Sequence, residues 1–194
     1  MKRQTKILMA SIFGILSTLF GGCKKAEPKQ AEYKPADIYV GLRNQALKLT
    51  AEQLQFSPTA ENPKVLAVLM ETGYPEAVAT LVSIADGAAS LYFSNGGGII
   101  GAGENGAPKV ASKELVRTAE QFVKDCKLTA EFPLPKKSFT RFFLVTIDGV
   151  FTTEVLEDDL GNNRHKLSPL FYKAQDLITI IRLTEDQKRK GGNK

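Results

Sequence analysis

The chain has 194 residues, of which 43% are hydrophobic, a composition that suits one folded domain with a sizeable core and excludes an intrinsically disordered chain. Its formal charge of +5 comes from the two ends, because residues 35–187 contain 15 Lys and Arg against 19 Asp and Glu. This mildly acidic body argues against a nucleic-acid partner, which needs a basic surface on the folded domain.

Residues 1–22 have the layout of a signal peptide. A cationic start, MKRQTK, precedes the apolar run ILMASIFGILSTLF, and small residues follow that run directly. The run has 14 residues, whereas a helix needs about 20 to cross a bilayer. We therefore predict that residues 1–22 are removed by processing.

The segment LFGGC at the end of that run resembles the lipobox of bacterial lipoproteins. The resemblance implies that cleavage follows Gly22 and that Cys23 is lipidated and becomes the mature N-terminus. Phe20 departs from the family pattern, which prefers Leu three places before the cleavage site, so an ordinary secreted or singly anchored protein remains the alternative. By the same resemblance, Lys24 after the lipidated Cys favours the outer membrane if the cell is Gram-negative. The predicted location is the cell envelope, and the predicted partner is the membrane through Cys23.

Three further segments follow from composition. Residues 23–36 hold the lipidated Cys and a polar stretch with two prolines, which predicts a flexible tether. Residues 37–187 form the single domain, and residues 188–194 are predicted to be a basic disordered tail. A helix is predicted from Asp37 as its N-cap, with an inward stripe of apolar residues at helical spacing. That stripe consists of Ile38, Leu42, Ala46 and Leu49.

Turn dipeptides between apolar runs predict hairpins in the middle of the chain. Asp86-Gly87, Asn95-Gly96 and Asp148-Gly149 are the turn signals, because these residues tolerate the positive φ that tight hairpin turns need. The flanking runs are read as six strands: KVLAVLMET, AVATLVSIA, AASLYFS, the glycine-weakened GIIGAG, FTRFFLVTI and VFTTEVL.

Two amphipathic helices are predicted after the hairpins. The first covers residues 111–127, and the second begins at Ser168 with Pro169 at its first position. Strands joined by hairpins form antiparallel sheet, whose apolar face must be covered. We therefore predict an α+β two-layer sandwich, with a mainly antiparallel sheet of about six strands built from hairpins and helices packed on one face. In the helix predicted over residues 111–127, the residues that face the sheet are Ser112, Leu115, Ala119, Phe122 and Cys126.

Residues 95–106, NGGGIIGAGENG, match the glycine pattern G-x-G-x-x-G twice. A dinucleotide site needs a helix that opens directly on these glycines, because the helix N-terminus binds the pyrophosphate. The apolar pair Ile99-Ile100 reads as strand, and ENGAP delays the next helix. We therefore expect a turn at Asn95-Gly96, a strand over residues 98–102, a loop over residues 103–110, and no nucleotide or other cofactor.

Two other groups of residues are candidates for chemistry. Cys126 with His165 is a conceivable nucleophile and base, although Cys126 continues a buried helical stripe and is predicted to be core. The carboxylates of the loop EDDLGNNRHK are candidate ligands of a calcium ion, although their spacing does not follow the EF-hand and a solvated loop is the competing interpretation. The candidate metal ligands are Asp158, Asp159 and Asn162.

No motif for catalysis rises above these candidates. We therefore expect a lipid-anchored envelope protein whose domain is a non-catalytic binding or scaffolding module for an envelope protein or a small ligand. Two alternatives stay open. One is a ligand-sensing domain with a pocket beside residues 95–106, and the other is an envelope hydrolase.

Overall fold

The computed structural model describes residues 33–55, 57, 59, 64–104 and 106–191. The predicted signal peptide and Cys23 lie outside the described residues. The described chain forms one seven-stranded sheet and four α-helices. The helices are α1 (Asp37–Leu47), α2 (Gly106–Ala119), α3 (Glu157–Gly161) and α4 (Ser168–Gly191), and a 3₁₀ helix (Glu120–Asp125) follows α2. The strands are β1 (Val65–Gly73), β2 (Val78–Ile84), β3 (Ala89–Phe93), β4 (Gly98–Ile99), β5 (Lys127–Thr129), β6 (Phe139–Thr146) and β7 (Gly149–Leu156).

The sheet has the order β4-β3-β2-β1-β6-β7-β5, and all of its neighbouring strands are antiparallel. The central strand β1 is buried along its whole length, as its unbroken apolar run suggests. The predicted hairpins β2–β3 and β6–β7 are confirmed. At the first turn Gly87 has φ of +101°, and the Asp86 carboxylate accepts a hydrogen bond from the Ala88 N–H at 2.7 Å. At the second turn Gly149 has φ of +124°.

Helices cover both faces of the sheet. On one face, α2 and α4 pack on the larger core, which includes Val68, Met70 and Leu81. On the other face, α1 packs on a smaller core that includes Leu69 and Phe143. The predicted α+β class and the antiparallel sheet built from hairpins are confirmed. The structure adds a seventh strand, β5. It also corrects the prediction of two layers with helices on one face, because α1 lies opposite α2 and α4. The central strand β1 is apolar on both faces, so both faces need a cover.

The buried side of α1 differs from the predicted apolar stripe. Ile38 is 67% exposed, whereas Tyr39 and Arg43 are buried beside Ala46. Tyr39 and Arg43 are long side chains with polar ends, and those ends reach polar partners on the sheet, so they occupy the place expected for Ile38. The other members of the predicted stripe, Leu42, Ala46 and Leu49, do pack on the smaller core. Ala36, rather than Asp37, precedes the helix as its N-cap.

The two later helices begin or end beyond their predicted bounds. α2 begins at Gly106, so the loop predicted over residues 103–110 is shorter, and Pro108 lies in the first turn, where its missing N–H costs no hydrogen bond. α4 begins at Ser168 as predicted, but it continues to Gly191, so residues 188–191 are helical instead of part of a disordered tail. None of the helices in the described ranges has the length and apolar character needed to cross a membrane.

Candidate functional site

A groove of about 440 Å³ opens between α4 and the far ends of β1, β2 and β3. Its volume falls within the range of about 300–1,000 Å³ that is typical of small-molecule sites. The groove exists because α2 covers only the opposite end of these strands, where the Ser112 hydroxyl donates a hydrogen bond to the Ala88 carbonyl at 2.9 Å. The groove is lined by Met70, Thr72, Tyr74, Ala79, Leu81, Leu91, Phe93, Gln175, Ile178 and Arg182.

The groove has an apolar floor and a few polar groups. Met70, Leu81 and Leu91 form the buried floor. From α4, Gln175 and Arg182 bring an amide and a cation to the lining. Arg182 has no ion-pair partner among the residues that the structure describes. The arrangement suits a ligand with an apolar body and an acceptor or anionic group.

Two aromatic side chains mark the mouth of the groove. Tyr74 is 43% exposed and Phe93 is 39% exposed. The chain that leaves the predicted tether runs beside them, because the Tyr33 hydroxyl donates a hydrogen bond to the Tyr74 carbonyl at 2.7 Å. The Ala36 N–H also donates to the Ser94 carbonyl at 2.8 Å. The tether therefore enters the fold at the mouth of the groove.

A second, smaller depression of about 210 Å³ lies on the α1 side of Phe93. Ile38 from α1 and Ile100 after β4 form its exposed rim. It borders the glycine-rich stretch, where a pocket was predicted for the ligand-sensing alternative. Its volume is below the usual range of small-molecule sites, so the larger groove is the better candidate.

A row of polar side chains crosses the sheet beneath α1. Arg43 of α1 binds Glu71 of β1 through two hydrogen bonds, Nε to Oε1 at 2.6 Å and Nη2 to Oε2 at 2.9 Å. Complete burial raises the pKa of the Glu71 carboxyl, and the Arg43 guanidinium opposes that rise. The strand register places five polar residues in one row: Tyr92, Thr80, Glu71, Arg141 and Glu154.

This row fixes α1 on the sheet. The Tyr39 hydroxyl lies 3.0 Å from the Thr80 hydroxyl, and Arg141 pairs with Glu154 at 2.9 Å. Tyr92 is 4% exposed, and its hydroxyl has no partner among the described residues. Our sequence interpretation missed the row, although a Glu inside the apolar run KVLAVLMET is the signal that could have revealed it.

The glycine-rich stretch forms a turn, a short strand and a loop. Gly96 donates its N–H to the Phe93 carbonyl at 3.0 Å, which confirms the predicted turn. β4 begins at Gly98 as predicted but ends at Ile99 instead of residue 102, because Gly101 with φ of +72° turns the chain. Gly103 lies against the β2–β3 turn, since a Cβ atom there would meet the Gly87 carbonyl oxygen at 2.0 Å. α2 begins at Gly106, so the expectation that ENGAP delays the next helix is wrong; Pro108 fits the first turn, where no N–H is needed. The strand before α2 is the two-residue β4, which pairs antiparallel with β3, whereas a dinucleotide site needs a parallel βαβ unit. The absence of a nucleotide stays a prediction.

Cys126 is half-buried at the end of the 3₁₀ helix and packs against the larger core. Burial, reinforced by the charge of Asp125, raises the pKa of the Cys126 thiol to about 11. Nucleophilic thiols have a lowered pKa, so this environment fits the predicted core role. The Nδ1 atom of His165 accepts a hydrogen bond from the Leu167 N–H at 3.2 Å.

The candidate metal ligands lie on and after α3, which replaces part of the predicted loop. The Arg164 guanidinium pairs with both Asp158 and Asp159, and its Nε lies 3.0 Å from the Asp159 Oδ1. The Asn162 amide donates a hydrogen bond to the Asp158 carboxylate at 2.8 Å. The arginine thus offsets one of the two negative charges of Asp158 and Asp159. Within the described ranges, no group of three or more His, Cys, Asp or Glu side chains is arranged to hold a metal ion.

Comparison of the chain with protein-family models, curated proteins and solved structures finds no significant match.

Proposed function

We propose that this chain is a lipid-anchored cell-envelope protein whose domain is a non-catalytic binding module, with the groove beside α4 as its ligand site. The ligand is a small molecule with an apolar body and an anionic group. The observation that carries this proposal is the groove itself, with an apolar floor and with Arg182 in its lining, a cation that pairs with no acidic side chain among the described residues.

The polar groups of the groove suit binding better than proton transfer. Arg182 and Gln175 bring hydrogen-bond donors to the groove, and the side chains that usually transfer protons in catalysis are His, Asp, Glu, Lys, Tyr and Cys. Burial raises the pKa of the Tyr74 phenol, which keeps it protonated. The Thr72 hydroxyl is already engaged with the Thr140 hydroxyl at 2.9 Å. These groups can orient a ligand and neutralise its charge.

The groove is tested with anilinonaphthalene sulfonate, a fluorescent probe that combines an apolar aromatic body with an anionic group. A chain that begins at Lys24 keeps every described residue and removes the apolar run. Ala79→Phe places a large side chain in the groove, and Ala107→Phe adds the same side chain at an exposed position in the first turn of α2. We expect saturable binding with one site, weakened at least tenfold by Ala79→Phe and unchanged by Ala107→Phe. Equal effects of the two substitutions would refute the groove as the site.

The lipid anchor is tested separately. Cys23→Ser in the full chain should abolish incorporation of radiolabelled fatty acid and release the protein from membranes. Two or more acyl chains hold a protein durably at a bilayer, whereas one holds only marginally. If the parent chain incorporates no label and the substituted chain stays membrane-bound, the uncleaved apolar run is the anchor and the lipoprotein proposal fails.

A further inference from the structure

We propose that the end of the domain where the tether arrives is a second membrane contact, which lies on an anionic lipid surface. The contact surface consists of Ile38, Tyr74, Phe93 and Ile100, here called the tether-side patch, together with the cationic end of α4. This inference goes beyond the proposed ligand site, and it depends on the proposed function only for the presence of a bilayer at Cys23.

The tether-side patch is a continuous run of exposed apolar side chains. Ile38 is 67% exposed and Ile100 is 63% exposed, and both line the smaller depression with Phe93. Phe93 in turn shares the groove lining with Tyr74. Isolated exposed apolar residues are ordinary on a protein surface, but contiguous ones mark an interaction site.

The tether indicates that the occupant is a bilayer. Tyr33 lies ten positions after Cys23, and ten residue steps span at most about 35 Å when fully extended. Tyr33 is hydrogen-bonded to the Tyr74 carbonyl, so a lipid on Cys23 keeps the patch within that distance of the membrane. A surface held so close meets lipid far more often than it meets a dilute protein partner.

The charge at the end of α4 complements an anionic bilayer. Arg182 lies in the groove lining beside Tyr74 and Phe93, and the exposed helix continues past it. From Arg182 to Gly191, four Lys and Arg residues stand against Glu185 and Asp186, which leaves a net charge of +2. Each cationic side chain near an anionic surface favours binding by roughly fivefold. The cationic residues after Arg182 are Lys188, Arg189 and Lys190.

The negative rim of the patch limits how deeply it enters the lipid. Asp37 precedes Ile38, and Glu76 lies in the β1–β2 turn beside Tyr74; both acidic side chains are exposed. Charged groups stay at the headgroup level, so the contact is interfacial, with only the apolar side chains reaching the acyl boundary.

The experiment measures flotation of the unlipidated chain that begins at Lys24 with two kinds of vesicle, phosphatidylcholine alone and phosphatidylcholine with phosphatidylglycerol. The double variant Ile38→Ser and Ile100→Ser alters the tether-side patch. Its matched control is Val110→Ser and Ile147→Ser, which removes exposed apolar side chains at the other end of the strands. We expect binding to the anionic vesicles, a loss of at least tenfold in the patch variant, and little change in the control.

The charge contribution is tested with Lys188→Gln, Arg189→Gln and Lys190→Gln together. We expect this triple variant to lose at least tenfold in binding to the anionic vesicles, and we expect added salt to reduce binding of the parent chain. Circular dichroism confirms that each variant is folded.

Three outcomes would overturn the membrane contact: no binding of the parent chain to either vesicle, equal losses in the patch and control variants, or a folded triple variant that binds as the parent does. Light scattering without lipid tests a fourth such outcome. If the parent chain is a dimer and the patch variant is a monomer, the patch is a contact between two copies of the chain. Failure of the proposed ligand site is distinguishable, since Ala79→Phe leaves the tether-side patch intact and should still bind vesicles.

Discussion

Arg43 and Glu71 form a bidentate ion pair that joins α1 to the central strand of the sheet. The two side chains are 8% and 0% exposed, and the Nε to Oε1 distance is 2.6 Å. The guanidinium also lies 5.3 Å from the centre of the Phe143 ring. Since α1 follows the predicted tether and bears Ile38, this pair connects the tether-side patch to the interior of the domain.

Arg43→Ala should lower the free energy of unfolding by about 3–5 kcal/mol, because it leaves the Glu71 carboxylate buried without its cation. Urea unfolding followed by circular dichroism measures this loss. Removal of both charges with Arg43→Met and Glu71→Leu should recover most of it. As a surface control, Arg164→Ala breaks exposed pairs and should cost at most about 1 kcal/mol. A similar loss in Arg43→Ala and Arg164→Ala would contradict the role given to the buried pair.

Gly103→Ala should destabilise the protein by about 3 kcal/mol, because the new Cβ atom would meet backbone atoms of Gly87 at 2.0 Å and Ala89 at 2.5 Å. Thermal unfolding measures the change. Gly41→Ala is the matched control, since Gly41 lies inside α1 with open space around its Cα, and there the substitution should stabilise the helix by about 0.5–1 kcal/mol. A harmless Gly103→Ala would contradict the structural role that we assign to this glycine.

Local chemistry predicted the hairpins and the start of α4 well. Asp-Gly dipeptides specify tight turns through backbone conformations that few other residues adopt, and Ser168 with Pro169 marks a helix start. Strand β5 escaped prediction because Lys127 and Leu128 are exposed and gain their strand conformation only by pairing with β7. Such pairing is a tertiary effect with no local signal.

The candidate site was less accessible from the sequence than the fold. The groove depends on which end of β1, β2 and β3 is left uncovered by α2. The packing of α2 and α4 on the sheet decides this, and no local sequence pattern reports it. The exposed Ile38 was assigned to the core because its spacing fits an apolar stripe, whereas the polar ends of Tyr39 and Arg43 find partners on the sheet. Helical periodicity is judged from the positions of apolar residues, so it does not predict the burial of a residue with a charged end such as Arg43.

Arg182→Gln should weaken binding of anilinonaphthalene sulfonate about tenfold, because it removes the cation from the groove lining and keeps a polar side chain there. Arg189→Gln removes an equal charge further along α4 and should leave binding nearly unchanged. Fluorescence titration measures the affinity of both variants for the probe. If the two substitutions weaken the probe equally, its sulfonate senses only the overall charge of α4 and not a site at Arg182.

The Cys126 thiol should react slowly with iodoacetamide in the folded protein. Its pKa of about 11 exceeds the ordinary value of 9.0, so at pH 8 the folded chain holds about a hundredfold less thiolate than the unfolded chain. The rate in the folded protein should rise about tenfold per pH unit up to about pH 11, whereas in concentrated urea it should level off near pH 9. Cys23→Ser leaves Cys126 as the only thiol to be measured.

The same shift has a consequence for stability. Because the folded state holds the thiol proton more tightly than the unfolded state, raising the pH from about 9 to about 11 favours unfolding. Cys126→Ala removes this titration, so its stability should fall less than that of the parent over that interval, while the two respond alike between pH 7 and pH 8. Alkylation at pH 8 that is as fast in the folded chain as in urea would show an open, ionised thiol and would contradict the buried environment assigned to Cys126.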